Sequence, residues 1–87
     1  MMKLTNKILN VNNRRTSMRL CCKEWTALDA ICTKERLNRN QLISMIENNK
    51  NQKLGLSYST RLFALLYYQS AADNKKVDVG TIIKDLS

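Results

Sequence analysis

The sequence predicts a mainly α-helical domain with one short strand, and three observations lead to this fold class. Polar and apolar side chains alternate from Arg15 to Leu20, which is the two-residue period of a strand. From Cys22 onward the apolar residues recur at helical spacing instead. The stretch "LNRNQL", residues 37–42, then has the residue types expected at a helix start. The predicted order is therefore strand, helix, short turn and helix.

The predicted strand has one basic face and one apolar face. Because successive strand residues point to opposite sides, Arg15, Ser17 and Arg19 share one face. Met18 and Leu20 share the other. A single strand is not stable alone and needs a partner strand. No other nearby segment has a convincing strand pattern, so we expect pairing with the same strand of a second copy in an intersubunit antiparallel ribbon.

The first helix is predicted to run from Cys22 to about Arg36. Its apolar residues Trp25, Leu28 and Ile31 fall on one arc of a helical projection. Trp25 is the only tryptophan of the chain, and its position on this arc assigns it to the core rather than to a platform on which bases stack.

The second helix has the clearest start signal. Asn38 is predicted as its N-cap, and Gln41 follows three residues later, as in a capping box. The helix is predicted to continue to about Lys50. Leu42 and Ile46 lie on its buried stripe.

The rest of the chain is predicted to form an arm, a third helix and a tail. Residues 1–13 are polar and rich in Asn, and we expect a flexible basic arm. A third helix is predicted from about Ser57 to Ala72, so that the folded domain covers residues 14–72. Residues 73–87 form a C-terminal tail that could dock as a strand or as a short helix.

The charge and the composition limit the kinds of function that the chain can have. The chain has 87 residues and a net charge of +8, which suits nucleic acid, an anionic membrane surface or an acidic protein as partner. Histidine is absent, which removes triads of the Ser-His type and the commonest zinc ligand. The seven Asp and Glu residues form no close pair, and the two glycines stand alone. The sequence therefore predicts no enzyme, no catalytic residue and no cofactor.

Three cysteines raise the question of a metal or redox cluster. Adjacent cysteines such as Cys21 and Cys22 rarely chelate one ion well, and Cys32 falls on the buried arc of the first helix. We therefore predict small core and junction residues and no metal site. The odd number of cysteines and the lack of a signal-like or membrane-spanning run favour a reducing, cytoplasmic setting without a membrane.

The stretch "TSMRLCCKEWTALDAICTKERLNRNQLISMIE" resembles the ribbon-helix-helix proteins of the Arc and methionine-repressor type. The continuation "LSYSTRLFALLYY" is similar to a bacterial variant that adds a third helix. The resemblance covers roughly residues 14–70 and depends on an ordered pattern rather than on one short motif. The turn between the family's two helices often holds a glycine, which Arg36 replaces in this chain.

The resemblance implies how the chain would contact DNA. In the family, two copies intertwine as a homodimer, and their ribbon lies in the major groove of double-stranded DNA. The implied base contacts are Arg15, Ser17 and Arg19. The implied phosphate contacts are Arg14, Asn38, Arg39 and Asn40. The implied dimer core is Met18, Leu20, Trp25, Leu28, Leu42 and Ile46. This would make the protein a sequence-specific transcriptional regulator or repressor, nucleoid-associated when bound to DNA.

Other functions stay open at the level of sequence. The chain could be a protein-interaction module, such as an antitoxin-like or adaptor dimer that binds a partner through residues 57–87. Phe63 and Tyr67 are expected to be buried in the dimer or against the tail, whereas an exposed pair would indicate a partner site. Binding of the basic chain to a membrane surface is a third interpretation.

Overall fold

The computed structural model describes residues 3–87, so the first two residues of the predicted arm lie outside the described residues. Two strands come first, and four helices follow them. The elements are β1 Leu4–Val11, β2 Arg14–Cys21, α1 Cys22–Glu35, α2 Arg39–Asn49, α3 Leu56–Ala72 and α4 Val79–Lys84.

The two strands form an antiparallel hairpin within one chain. Here the structure corrects the sequence prediction of a single strand. β1 occupies most of the predicted arm, and β2 pairs with β1 of the same chain along its whole length. The turn between them is only Asn12 and Asn13, whose φ angles are 53° and 63°. Positive φ at both central residues is the mark of the type I′ turn, whose twist matches that of paired strands.

The six residues predicted for a dimer core are all buried within one chain. Their exposed fractions range from 0% to 3%, and they belong to one hydrophobic cluster: Met18, Leu20, Trp25, Leu28, Leu42 and Ile46. β1 adds Leu9 and Val11 to this cluster. The burial of these residues therefore requires no second copy.

The first two helices have the predicted starts. α1 begins directly after Cys21, and α2 begins after Asn38, whose side chain accepts a hydrogen bond from the Gln41 N–H at 2.7 Å. The Gln41 side chain accepts in return from the Asn38 N–H at 2.8 Å, which completes the capping box. Arg36 ends α1 with φ 59° and ψ 41°, the left-handed conformation that glycine adopts most readily.

The third helix and the tail contribute buried residues to the hydrophobic core. α3 begins after Gly55, slightly before the predicted start near Ser57. Phe63 and Tyr67 are buried, with exposed fractions of 0% and 2%. The tail forms the short helix α4, and three of its residues enter the same core: Ile82, Ile83 and Leu86. Within residues 3–87, no helix combines the length and the apolar character needed to cross a bilayer.

Candidate nucleic-acid interface

The ribbon formed by β1 and β2 has an outward face that points away from the core. Alternation along β2 places Arg15, Ser17 and Arg19 on this face, and all three are exposed. Met18 and Leu20 point to the other side and are 3% and 1% exposed. The three predicted base-contacting residues therefore lie together on one accessible surface.

β1 supplies the other half of the outward face. Opposite residues of an antiparallel pair lie on the same side of the sheet. The pairs are Asn6 with Arg19, Ile8 with Ser17, and Asn10 with Arg15. Asn6, Ile8 and Asn10 are all exposed, and Ile8 has 60% of its surface accessible.

The sequence analysis did not identify these three β1 residues as site residues. Adjacent apolar residues at Ile8 and Leu9 disrupt the two-residue alternation, and Lys7 occupies an inward position. The signal that could have found them is the pair of asparagines at 12 and 13, which tolerate positive φ better than most residues and separate two eight-residue segments.

Trp25 connects the ribbon to the helices through a hydrogen bond and through packing. Its indole Nε1–H donates a hydrogen bond to the Thr5 carbonyl of β1 at 2.9 Å. The Lys7 Nζ lies 5.7 Å from the centroid of the Trp25 ring, and the Arg39 Cζ lies 5.1 Å from it. Both distances suit cation–π attraction. The indole thus contacts β1 and the first residue of α2 while its ring fills the core.

The N-terminus of α2 lies directly beside β1. The Asn10 N–H donates to the Asn40 Oδ1 at 3.1 Å, and the Asn12 N–H donates to the Ser44 Oγ at 3.1 Å. The side chains of Asn12 and Asn48 are also hydrogen-bonded at 2.8 Å. The side chains of α2 therefore accept hydrogen bonds from the backbone of β1 and of the turn, and the first turn of α2 lies beside the edge of the ribbon.

This architecture agrees with the comparison against known protein families. Residues 4–68 match the family model described as the ribbon-helix-helix domain, which is most of the 87-residue chain. The chain belongs to the ribbon-helix-helix domain family. Ribbon-helix-helix domains are generally found in DNA-binding transcription regulators, typically without enzymatic activity, and they typically bind DNA as dimers. The comparisons with curated proteins and with solved structures gave no match.

The residues that the ribbon-helix-helix resemblance assigns to phosphate binding lie in two places. Asn38, Arg39 and Asn40 are together at the start of α2. Arg14 lies at the tip of the ribbon opposite Val11, on the side that faces the helices rather than on the outward face. It is exposed there and borders a cleft that Glu47 and Lys50 also line.

Arg39 forms an ion pair within the ribbon-helix-helix domain. Its Nε and Nη2 donate to the two carboxylate oxygens of Asp29 on α1, at distances of 2.8 to 3.1 Å. This forked contact holds the first turn of α2 against α1 and offsets the charge of the guanidinium. The Asn38 side chain accepts a hydrogen bond from the Gln41 N–H. The backbone N–H groups of Arg39 and Asn40, which come before Gln41 in the first turn, have no acceptor within the helix.

The third helix is joined to the junction between ribbon and α1. The Arg61 Nε contacts the Glu24 Oε2 at 2.6 Å, while the Glu24 Oε1 accepts from the Cys21 N–H at 2.8 Å. Partial burial raises the pKa of the Glu24 carboxyl, but the hydrogen bonds from Arg61 and Cys21 outweigh this effect, and the pKa is lowered overall. The carboxylate therefore holds α3 at the point where β2 becomes α1.

The cysteines of this ribbon-helix-helix domain are free thiols. Cys32 is buried in the core, and burial raises the pKa of its thiol, so it stays protonated and unreactive. Cys21 is half-buried at the strand–helix junction, and Cys22 is exposed. In the described part of the chain, residues 3–87, no three Cys, Asp or Glu side chains come close enough together to hold a metal ion.

Proposed function

We propose that the protein binds double-stranded DNA sequence-specifically and acts in the cytoplasm as a transcriptional regulator or repressor. The observation that carries the proposal is the outward face of the ribbon in a domain whose family generally binds DNA. Arg15, Ser17 and Arg19 are exposed on it in a row. A two-stranded ribbon fits the major groove, where each base pair presents a distinct pattern of donors and acceptors.

The side chains on this face suit direct base contacts. An arginine can donate two hydrogen bonds to the O6 and N7 of guanine, and a serine can donate or accept with several bases. Arg15 and Arg19 lie on either side of Ser17, so three successive levels of the ribbon each present a hydrogen-bonding group from β2. Specificity would come from these three residues.

Affinity would come from contacts to phosphates. The start of α2 offers unpaired N–H groups and the positive end of the helix dipole beside the ribbon. Asn38 and Asn40 contribute exposed amides there, and the Arg39 ion pair fixes the position of this turn. Arg14 would reach a phosphate from the tip of the ribbon. If about four phosphates are neutralised, affinity should fall about 100-fold between 50 and 200 mM salt.

The test compares Arg19→Ala with Lys75→Ala, which removes the same charge from the exposed loop between α3 and α4. A preferred duplex is first selected from a random pool at physiological salt, and affinities are then measured by fluorescence anisotropy. Arg19→Ala should weaken binding to the preferred site by about 1–3 kcal/mol, whereas Lys75→Ala should have a much smaller effect. Failure to enrich any sequence, or equal binding by both variants to every duplex, would contradict the proposal.

A second candidate function is protein interaction through α3. Its support is a set of large apolar side chains on the outer surface of this helix, namely Tyr58, Leu65 and Tyr68, which are 56%, 63% and 42% exposed. The same surface is available for a homodimer, since the ribbon is already completed within one chain. Deletion of residues 73–87 would not test this function, because it would also uncover the core under α4.

A cleaner test is the double variant Tyr58→Ser and Leu65→Ser, which leaves the core intact. Sedimentation velocity would measure self-association, and the anisotropy assay would measure DNA binding. Loss of self-association with unchanged DNA binding would assign α3 to a homodimer interface. A monomeric wild type that fails to enrich DNA would favour a different protein partner.

A further inference from the structure

A cavity lies on the helix side of the ribbon, between α1, α3 and the end of β2. We call it the α1–α3 cavity, and its volume is about 200 Å³. Most of its lining is apolar and comes from Leu20, Ala27, Leu28 and Ala64. The two alanines belong to different helices and carry one methyl group each, so neither fills the space between α1 and α3. The cavity is separate from the outward face, because Leu20 points inward.

The rim of the α1–α3 cavity carries an excess of positive charge. The Arg61 Nε contacts the Glu24 Oε2 at 2.6 Å, so these two charges offset each other. Lys23 is exposed and also lines the cavity, and its ammonium forms no ion pair with a carboxylate of residues 3–87. An anionic group would therefore be attracted to the Lys23 side of the cavity.

A buried hydroxyl group is the second polar feature of the cavity. Thr60 is 1% exposed, and its Oγ1 has no hydrogen-bond partner among the described residues. Buried hydroxyl groups usually have a partner, because burial removes water without replacing its hydrogen bonds. Ser59 has the same property but is not part of the lining. Since Thr60 does line the cavity, an oxygen of a bound ligand could accept a hydrogen bond from it.

We propose that the α1–α3 cavity binds a small organic monocarboxylate whose apolar body is about the size of one six-membered ring. The ring would lie against the leucines and alanines of the lining, and the carboxylate would face Lys23 and the Thr60 hydroxyl. The volume supports this size, because an apolar cavity of about 150 Å³ is enough to hold benzene. This inference does not depend on the proposed DNA binding.

The position of the cavity gives such a ligand a structural effect. The cavity borders β2, α1 and α3, and Glu24 on its rim is hydrogen-bonded both to the Cys21 N–H and to Arg61. A ligand that binds only the folded chain stabilises it, and here the ligand would strengthen the attachment of α3 to the junction between β2 and α1. The cavity therefore has the place of a small-molecule effector site.

The experiment uses benzoate as the probe and the full chain as the protein. Benzylamine, which has a ring of the same size and the opposite charge, serves as the matched control ligand. Titrations are followed by the backbone amide signals in two-dimensional NMR. Benzoate should shift the signals of Thr60 and Ala64 saturably, with a Kd of about 1 mM for a ligand of its size. Benzylamine should cause no saturable shift at these positions.

Three variants test the assigned contacts. Ala64→Leu should abolish binding, because the longer side chain fills the cavity. Thr60→Val keeps the shape but removes the hydroxyl, and it should raise the Kd of benzoate about 5-fold. Lys23→Ala should raise it about 2- to 5-fold, since Lys23 is exposed. Lys34→Ala, which removes an equally exposed charge near the other end of α1, should leave the Kd unchanged.

Several results would overturn the proposal. They are the absence of saturable shifts with benzoate, equal binding of benzylamine, or an unchanged Kd in Ala64→Leu. Far-UV circular dichroism verifies that each variant is folded, and Thr60→Val and Lys23→Ala keep the test valid if Ala64→Leu is not. An unchanged Kd in both of these variants would also overturn it. Signals of the cavity residues that depend on protein concentration but not on benzoate would assign the cavity to a second copy instead.

Discussion

The two-residue turn between the strands allows a direct test of the intrachain hairpin. Asn12 and Asn13 both have positive φ, where a side chain other than Asn or Gly costs about 1–2 kcal/mol. Asn13 is the better site, because the Asn12 amide also bonds to Asn48. Asn13→Ala should lower the free energy of unfolding by about 1 kcal/mol. Asn13→Gly should leave it equal or raise it by up to about 0.5 kcal/mol, since relief of the steric cost is partly offset by a freer unfolded chain.

The difference between the two variants is measured by urea and thermal unfolding. A gap of about 1–1.5 kcal/mol corresponds to about 4–12 °C in Tm for a domain of this size. Far-UV circular dichroism follows the helices, and Trp25 fluorescence follows the docking of β1, because the indole is bonded to the Thr5 carbonyl. In a protein that also carries Tyr58→Ser and Leu65→Ser, which removes the exposed α3 surface, midpoints should not depend on protein concentration if the strands belong to one chain.

Asn74 provides the matched control. It also has a positive φ, 57°, but lies between α3 and α4, away from the ribbon. The pair Asn74→Ala and Asn74→Gly calibrates the cost of the left-handed conformation in this protein. A clear difference at Asn74 with none at Asn13 would show that the turn is not formed. Midpoints that still rise with protein concentration after Tyr58→Ser and Leu65→Ser would likewise contradict an intrachain ribbon.

Three further substitutions follow from the structure. Arg36→Gly should raise the free energy of unfolding in urea by about 0.5–1 kcal/mol, because glycine adopts the left-handed C-cap without strain. Tyr67→Phe should lower it by about 1–2 kcal/mol through loss of the 2.7 Å bond to Glu35. Burial raises the pKa of Tyr67 to about 12, so the wild type should lose stability from pH 10 to 12 and the phenylalanine variant should lose less. Glu24→Gln should flatten the acid side of the stability profile, because the lowered pKa of Glu24 gives stability above its unfolded value that is lost as the pH falls.

The helices next to the ribbon could be predicted because their signals are local. The Asn38 cap, its Gln41 partner and the apolar spacing of α1 are all visible within a few residues, and the structure confirms both helix starts. The strained end of α1 was also foreseeable, since Arg36 stands where the family often has glycine. Alternation likewise identified the outward residues of β2.

β1 could not be predicted because tertiary contacts outweigh its local pattern. Lys7 faces inward, which a charged residue tolerates here because its ammonium lies over the Trp25 ring. Ile8 faces solvent although it is apolar, so the two-residue alternation fails in the middle of the strand. The turn gives a weak signal as well, since asparagine occurs in many loop conformations and the dipeptide lacks the glycine typical of hairpins.

Both strands of the ribbon belong to one chain, so a second copy is not needed to form a two-stranded ribbon. The Cα radius of gyration is 12.4 Å, close to the value of about 12 Å expected for a compact monomer of this length. The core that two chains would otherwise share is filled by one chain, with β1, α3 and α4 covering the helices. A dimer could then use the exposed Tyr58 and Leu65 of α3, while the ribbon face stays free. Self-association and base contact would in that case reside on different elements, and mutations should be able to remove either one without the other.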